Sequence, residues 1–208
     1  NTTGEVLTGI QADLDMASSL FPSTASDINF ATPDFVTFLK ARIALESADY
    51  PAAITLSSQL IASYQLATPI QYFNMFNGDT DTTEVIYKYD NVQGANYLIA
   101  NLWIFTGTGG AFIEMSNGFY SILSDNDIRK SVLVDPTSDP SVNLYVIGKY
   151  PPGGDANYIN DFKAMRISEM YLLRAEAYAR STQFGLAQDD VIAVRTARYF
   201  SGAPAPIN

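Results

Sequence analysis

The chain has 208 residues, of which 22 are acidic and 12 basic, so its formal net charge at neutral pH is −10. It contains no histidine and no cysteine, which excludes His- and Cys-ligated metal sites, disulfides, thiol catalysis and Ser-His-Asp triads. The acidic balance, without a run of Lys or Arg, argues against binding to nucleic acid or anionic lipid. Apolar residues make up 47% of the chain and charged residues only 16%, which indicates a globular protein with a sizeable core.

The first third of the chain predicts three helices. Apolar residues recur every three to four positions over 5–21, the period of an amphipathic helix. A second helix follows, with Thr32 suited to its N-cap and Pro33 to its first position. A third helix opens at Pro51 after a tight break. The second and third helices together predict a helical hairpin over 31–64.

Residues 65–161 change character and predict a mixed, partly irregular insert. Residues 83–89 are β-branched and aromatic, which favours a short strand, and residues 143–150 predict a second one. Residues 114–123 predict a short helix. Residues 91–111 have no stable period.

Helical order is predicted to return at Phe162. Lys163 to Arg180 is rich in helix formers and contains no Gly or Pro, so it predicts one continuous helix. A break leads to another helix from Leu186 to Arg198, which gives a second hairpin over 162–200. The fold class predicted is mainly α, with short strands in the insert.

The two hairpins resemble each other at a shift of 134 residues. A small residue early in the second helix, three residues after an aromatic one, is the tetratricopeptide arrangement, in which the small side chain lets two helices approach closely. The alternative is that any two antiparallel helices need a small residue near their crossing. The matched positions are Leu39 with Leu173, Ala41 with Ala175, Tyr50 with Phe184 and Ala53 with Ala187.

Several motifs, in order along nearly the whole chain, carry a family resemblance. They are Ala12–Ala17, Leu39–Leu45 with Asp49–Tyr50, Glu84–Ile86, Asp127–Arg129, Phe162–Tyr178 and Val194–Arg198. The most specific is Arg166-Ile167-Ser168-Glu169 followed by Ala175-Glu176-Ala177. These motifs resemble the SusD/RagB family, the nutrient-binding lipoproteins of the Bacteroidetes outer membrane. One departure is the lack of the family's Asn near Val191 and Ile192.

The resemblance implies one SusD-like domain over 1–208, with tetratricopeptide-like hairpins, as a fragment or a short member of the family. It also implies a non-catalytic, cofactor-free protein that binds a nutrient, an oligosaccharide above all, at the outer surface of the outer membrane. That protein would deliver its ligand to a SusC-like TonB-dependent transporter and be lipid-anchored through a Cys upstream of this chain. The alternative function is a helical-repeat scaffold that binds a protein partner through its concave face and takes no small molecule.

Candidate ligand-binding residues lie in the insert, because sugars are bound by aromatic faces with polar side chains beside them. Binding residues are also common on loops. The alternative for the only Trp of the chain is a role as a core anchor. The candidates are Trp103, Tyr97 and Phe105 in the Asn/Gly-rich stretch, and Tyr150, Tyr158, Asp155 and Asn157 around a Pro/Gly-rich segment.

Charged residues in the last third are interpreted as structural rather than catalytic. Arg166 and Glu169 are spaced to pair on one helix. We expect the same structural role for four further residues, namely Arg174, Glu176, Arg195 and Arg198.

Two acidic groups have functional alternatives. The segment 77–84, with Asp79 and Asp81 at alternate positions, predicts a solvated turn, and a calcium loop is its alternative. Carboxylate pairs such as Asp125 and Asp127 could serve a carboxylate-dependent hydrolase such as a glycosidase, which is a weaker third class of function. We predict no metal site and no catalytic residue.

Overall fold

The computed structural model describes residues 2–22, 24–91, 113–142, 144–150 and 160–202. In chain order its elements are α1 (Thr3–Leu20), α2 (Pro33–Glu46), α3 (Tyr50–Ser63), α4 (Pro69–Phe76), β1 (Val85–Tyr89), α5 (Asn117–Ile122), α6 (Ile128–Leu133), β2 (Phe162–Arg166), α7 (Ile167–Arg180) and α8 (Phe184–Thr196). The predicted mainly α class with short strands is confirmed. Across the described ranges, no helix combines the length and apolar character that a membrane span requires.

The helix starts follow from local capping chemistry. The Thr32 hydroxyl accepts a hydrogen bond from the Phe35 N–H at 3.2 Å, and Pro33 is the first residue of α2, as predicted. At the start of α3 the Asp49 carboxylate accepts from the Ala52 N–H at 3.2 Å. Each cap satisfies a backbone donor that the first helical turn leaves without a partner.

The two predicted hairpins are confirmed as α2–α3 and α7–α8. The small residues at their crossings are buried: Ala41 and Ala53 are 0% exposed, and Ala175 and Ala187 are 5% and 9% exposed. Helix α3 also packs along α7, so the four helices form one continuous layer although the insert separates them in sequence.

The core has two clusters, and β1 lies between them. Ile86 belongs to the first cluster and Val85 to the second, because successive strand residues point to opposite sides. The first cluster joins the two hairpins and includes Phe38, Leu60, Ile167, Met170 and Leu173. The second lies within the insert, where it joins α4, α6 and β1, and includes Tyr72, Met75, Phe76, Ile128 and Tyr150.

The prediction of one helix from Lys163 to Arg180 is wrong for its first residues. The segment Phe162–Arg166 is β2, which pairs antiparallel with β1, and α7 begins only at Ile167. Lys163 and Met165 are buried in alternation along β2, which is the period of a strand. Pairing with a strand about eighty residues earlier overrides a local preference for helix.

The insert also departs from the prediction. Leu144, Val146 and Ile147 form isolated bridges rather than the strand predicted over 143–150. The short helix predicted over 114–123 is present as α5. Helices α4 and α6 were not predicted, although the side chains of Thr68 and Gln71 form a capping box at the start of α4, a signal that is visible in the sequence.

Candidate functional site

The strand pair β1–β2 is closed at one end by Asn91 and Asp161. The Asn91 N–H donates to Asp161 Oδ1 at 2.9 Å, and the Asn91 side-chain amide donates to the Asn160 carbonyl oxygen at 2.7 Å. Residues 92–112 follow Asn91 in the chain, and residues 151–159 precede Asn160. The two segments that hold six of the seven predicted ligand-binding residues are therefore connected in sequence to this end of the strand pair.

Two exposed aromatic side chains lie side by side at the same end. Tyr89 and Phe162 are register partners across β1 and β2. Their ring centroids are 6.2 Å apart, and their planes are inclined by 22°. Tyr89 is 57% exposed and Phe162 is 37% exposed. We call these two rings the aromatic pair; it is an apolar patch that a ligand can reach.

Inner rings support the aromatic pair. The Tyr87 ring centroid lies 5.1 Å from that of Tyr89, and the Tyr150 centroid lies 6.1 Å from that of Phe162. Tyr150 itself packs edge-on against Phe76 at 5.3 Å. Because Tyr150 and Phe76 belong to the buried core, the aromatic pair is held in place before any ligand arrives, which lowers the entropy cost of binding.

Two ion pairs connect the strand pair with the segments next to it in the fold. The Lys88 ammonium contacts the Asp161 carboxylate, and both side chains are mostly buried. The Lys163 ammonium contacts Asp79, whose other oxygen accepts from the Asp161 N–H at 2.8 Å. Burial disfavours the charged ammonium and lowers the pKa of Lys163 to about 8. Lys88, Asp161, Lys163 and Asp79 thus form a network of opposite charges that contact one another at the strand pair.

Beneath the strand pair, the Glu84 carboxylate joins four parts of the chain. It is 0% exposed. Its Oε1 lies 2.6 Å from the Arg198 guanidinium and accepts the Ala67 N–H at 2.9 Å, and its Oε2 lies 3.4 Å from Arg166. The predicted structural role of Arg198 is confirmed. The predicted pairing of Arg166 with Glu169 is wrong, because Arg166 lies at the end of β2 and faces Glu84.

The other charged residues of the last third also form ion pairs. The Arg174 guanidinium donates to both Asp190 oxygens, at 2.8 and 2.7 Å. Glu176 pairs with Arg180 at 3.0 Å, and Glu169 pairs with Arg42 of α2. These contacts confirm the structural interpretation of Arg174 and Glu176. The role expected for Arg195 stays a prediction.

The carboxylates of the two acidic groups, Asp79 with Asp81 and Asp125 with Asp127, contact donors or basic side chains within the protein. Asp81 Oδ1 accepts the Thr83 N–H at 2.8 Å, and Asp79 contacts Lys163. Asp127 pairs with Arg129 at 2.6 Å, and Asp125 pairs with Lys130 at 2.5 Å. Among the residues that the structure describes, no group of acidic side chains is arranged to hold a metal ion.

Of the seven predicted ligand-binding residues, Tyr150 is the one within the described ranges. Its side chain is 3% exposed and forms part of the second core cluster. Burial raises its pKa to about 12. The other six, Trp103, Tyr97, Phe105, Tyr158, Asp155 and Asn157, lie outside the described residues. The role of all seven in ligand binding stays a prediction.

Sequence reasoning missed Tyr89 and Phe162 as candidates. The sequence pattern indicates Tyr89 only as a strand residue and Phe162 only as the start of a helix. A signal was nevertheless present: Tyr89-Asp90-Asn91 leads into one Gly-containing segment, and Asn160-Asp161-Phe162 leads out of the other. An aromatic residue beside Asx residues, where each of these two segments meets a strand, marks this end of the strand pair.

Solved structures from Bacteroides share this fold. A SusD superfamily protein from Bacteroides thetaiotaomicron matches with a TM-score of 0.80 and 18% identity, over 96% of this chain and 48% of its own. A SusD-like carbohydrate binding protein from Bacteroides vulgatus matches at 0.74 and 24% identity, over 98% and 45%. Surface glycan-binding protein A from Bacteroides thetaiotaomicron, in complex with laminarihexaose, matches at 0.74 and 16% identity, over 98% and 55%.

The comparison with family models and the search of curated proteins found no match. The chain spans about half the length of the three solved structures above. TM-scores of 0.74–0.80 over 96–98% of this chain establish the fold. The predicted resemblance is confirmed at the level of structure: this chain has the fold of SusD superfamily proteins.

Proposed function

We propose that the chain is a carbohydrate-binding unit whose ligand contacts the aromatic pair Tyr89–Phe162. The observation that carries the proposal is the exposure of two supported, nearly parallel rings where both insert segments join the strand pair. Sugar rings present C–H faces that pack on aromatic rings, while hydroxyl groups bind neighbouring polar side chains. The predicted residues Trp103, Tyr97, Phe105, Tyr158, Asp155 and Asn157 would extend this surface.

The fold supports the same proposal. One protein with this fold is described as SusD-like and carbohydrate-binding, and another holds laminarihexaose. By the SusD resemblance, we propose that the ligand is passed to a SusC-like TonB-dependent transporter. By the same resemblance, we place the protein at the outer membrane surface, attached through a lipid upstream of this chain.

A non-catalytic role is supported by three of the carboxylates around the strand pair. Hydrolysis of a glycosidic bond uses two carboxyl groups that face each other across the bond. Glu84 is fully buried against Arg198, while Asp161 and Asp79 contact lysines. Because all three carboxylates form ion pairs around the strand pair, we propose that the protein binds a glycan without hydrolysing it.

The test is calorimetric titration of the chain with laminarihexaose, cellohexaose and maltohexaose. We expect one of them to bind in the micromolar to millimolar range. Loss of one stacking ring removes about 0.5–1.5 kcal/mol, so Phe162→Ala and Tyr89→Ala should each weaken binding about two- to tenfold. Trp103→Ala tests the predicted loop residue in the same way.

The matched control is Phe184→Ala, which removes an exposed ring from the second hairpin; Phe184 is 67% exposed. Affinity should be unchanged in this variant. If binding survives in Tyr89→Ala and Phe162→Ala, the site is elsewhere in the chain. If the folded chain binds none of the three hexasaccharides, nor any member of a wider glycan array, the proposed function is wrong.

A groove between the two hairpins favours the scaffold function as a second candidate. It has a volume of about 470 Å³ and lies between α2 and α7. Apolar side chains, among them Ile43 and Leu172, line it together with Glu46 and the Arg42–Glu169 pair. Leu172→Glu would disturb a protein partner in this groove and leave oligosaccharide binding intact, which separates the two functions.

A further inference from the structure

The chain contains two Asn-Gly pairs, and the structure places them in different backbone environments. Asn77-Gly78 lies in the turn after α4, whereas Asn117-Gly118 opens α5. All four residues are exposed, so water reaches both pairs. Asparagine is a thermolabile residue, and a glycine after it leaves the next backbone nitrogen without a side chain to hinder its reactions.

The backbone at Asn77-Gly78 has freedom to rotate. Asn77 is the C-cap of α4, and its N–H donates to the Phe73 carbonyl oxygen at 2.9 Å. Among the described residues, no hydrogen bond involves the Gly78 N–H, the Asn77 carbonyl oxygen or the Asn77 side-chain amide. Gly78 has a φ of +91° and open space around it. Because glycine adopts both signs of φ, Gly78 can compensate for a rotation that brings its nitrogen to Asn77 Cγ.

The backbone at Asn117-Gly118 is fixed by α5. The Ser116 hydroxyl accepts the Phe119 N–H at 3.2 Å, and the Ser116 carbonyl oxygen accepts the Tyr120 N–H at 3.0 Å. Closure of a ring between Asn117 Cγ and the Gly118 nitrogen needs a ψ well outside the helical range. The two atoms can therefore meet only when the first turn of α5 opens.

We propose that Asn77 is a site of spontaneous deamidation in the folded protein and that α5 protects Asn117 from the same reaction. The Gly78 backbone nitrogen loses its proton to hydroxide and forms a bond to Asn77 Cγ, which closes a succinimide ring. The bond from Cγ to Nδ2 breaks, and Nδ2 takes a proton from water and leaves as ammonia. Water then opens the ring at either carbonyl. One product is aspartate, and the other is isoaspartate, in which the main chain runs through Cβ and Cγ.

The isoaspartate product would act on a contact that joins the turn to β2. Asp79 contacts the ammonium of Lys163, and its Oδ2 accepts the Asp161 N–H at 2.8 Å. Isoaspartate at position 77 lengthens the main chain by one carbon two residues before this carboxylate. We expect Asp79 to move as a result. Lys163, which is 5% exposed, would then be buried without its partner, and an unpaired buried charge destabilises the folded state.

The test is incubation of the folded chain at mildly alkaline pH, followed by peptide mapping with mass spectrometry. The conversion of an amide to a carboxyl group changes the mass of the peptide, and protein isoaspartyl methyltransferase quantifies the isoaspartate. We expect Asn77 to react at least about tenfold faster than Asn117, because Asn117 reacts only after local opening of α5. In the chain unfolded by urea, the two pairs should react at similar rates, since α5 is absent.

The matched control is Asn77→Gln, because glutamine before glycine would have to close a six-membered ring, which is much slower. This variant should remain unmodified at position 77 and keep its urea midpoint after incubation. The unaltered chain should develop a less stable population in proportion to its isoaspartate content. Freshly prepared Asn77→Asp adds the charge without lengthening the main chain, so its urea midpoint should change less than that of the isoaspartate form.

Two kinds of outcome would contradict the proposal. Equal rates at Asn77 and Asn117 in the folded chain would overturn the protection by α5, and reaction at Asn117 alone or at neither residue would overturn the site itself. If Asn77 reacts and the isoaspartate form keeps the urea midpoint of the unaltered chain, the proposed effect on the contact between Asp79 and Lys163 is wrong.

Discussion

The two hairpins and the strand pair β1–β2 bury different kinds of side chain. At the helix crossings of the hairpins lie small apolar residues, such as Ala53, which is 0% exposed. Around the strand pair the buried residues include Glu84 at 0%, Lys163 at 5% and Arg198 at 2%. The hairpins are therefore held by packing between neighbouring helices, and the strand pair by charged contacts between distant parts of the chain.

The second hairpin is intermediate between these two regions. Its helices meet at Ala175 and Ala187, as in the first hairpin, but the buried Asp190 also binds Arg174. The Arg174 guanidinium donates further to the Ser58 hydroxyl of α3 at 2.9 Å. A hairpin of this geometry can therefore bury a charged contact when both charged groups are paired, as Arg174 is with Asp190. The strand pair combines several such contacts with apolar residues of the core, and the exposed aromatic pair lies at its end.

The largest expected effect is at Glu84. Replacing it with alanine leaves Arg198 buried without its carboxylate, and breaking a buried pair in this way costs about 3–5 kcal/mol. Urea unfolding measures the free energy of unfolding. The control is Glu176→Ala, which removes a surface pair with Arg180 and should change stability little. If both variants lose the same free energy of unfolding, the strand pair does not depend on its charged contacts more than the hairpins do.

The stability of the hairpins should depend on side-chain volume at the helix crossings more than on charge. Ala53→Leu and Ala187→Leu insert three carbons at a helix crossing, and overpacking of this kind costs about 1–3 kcal/mol. Both variants should lower the urea midpoint by similar amounts, since the two positions are equivalent. Ala62→Leu, at an exposed position of α3, is the control and should have almost no effect. A neutral outcome at Ala53 would contradict close approach of α2 and α3.

The pH dependence of stability should come from the region of the strand pair. Burial lowers the pKa of both Lys149 and Lys163 to about 8 from 10.5, with a smaller contribution from Arg166 at Lys149. Between these values the unfolded chain binds more protons than the folded one, so stability rises with pH. Burial raises the pKa of Tyr150 from 10.0 to about 12, which reverses the trend above pH 10. Stability should therefore be highest near pH 10.

The variant that isolates this effect is Lys149→Met. In this variant the free energy of unfolding should rise by about 1–2 kcal/mol less between pH 8 and 10 than in the unaltered chain. Urea unfolding at a series of pH values measures it. Lys130→Met, which removes the partner of exposed Asp125, should keep the rise. A flat profile in the unaltered chain would show that Lys149 titrates as an exposed lysine does.

Several features of the fold were determined by the sequence alone, because they depend on local interactions. Thr32 and Pro33 fix the start of α2 through one hydrogen bond and one restricted torsion. The spacing of apolar residues identified α1, α2 and α3, and the shift of 134 residues identified Ala41, Ala53, Ala175 and Ala187 as packing positions. Helix periodicity and capping are visible within a window of a few residues, and so is a repeated pattern.

The strand pair and the aromatic pair were decided by tertiary structure. Phe162–Arg166 has good local helix propensity, yet it pairs with β1 because the buried positions of that strand need a partner. Arg166 then faces Glu84 instead of Glu169, and Phe162 comes to lie beside Tyr89. Contacts between residues about eighty positions apart leave no periodic signal in the chain, since they form only when the whole core assembles around them.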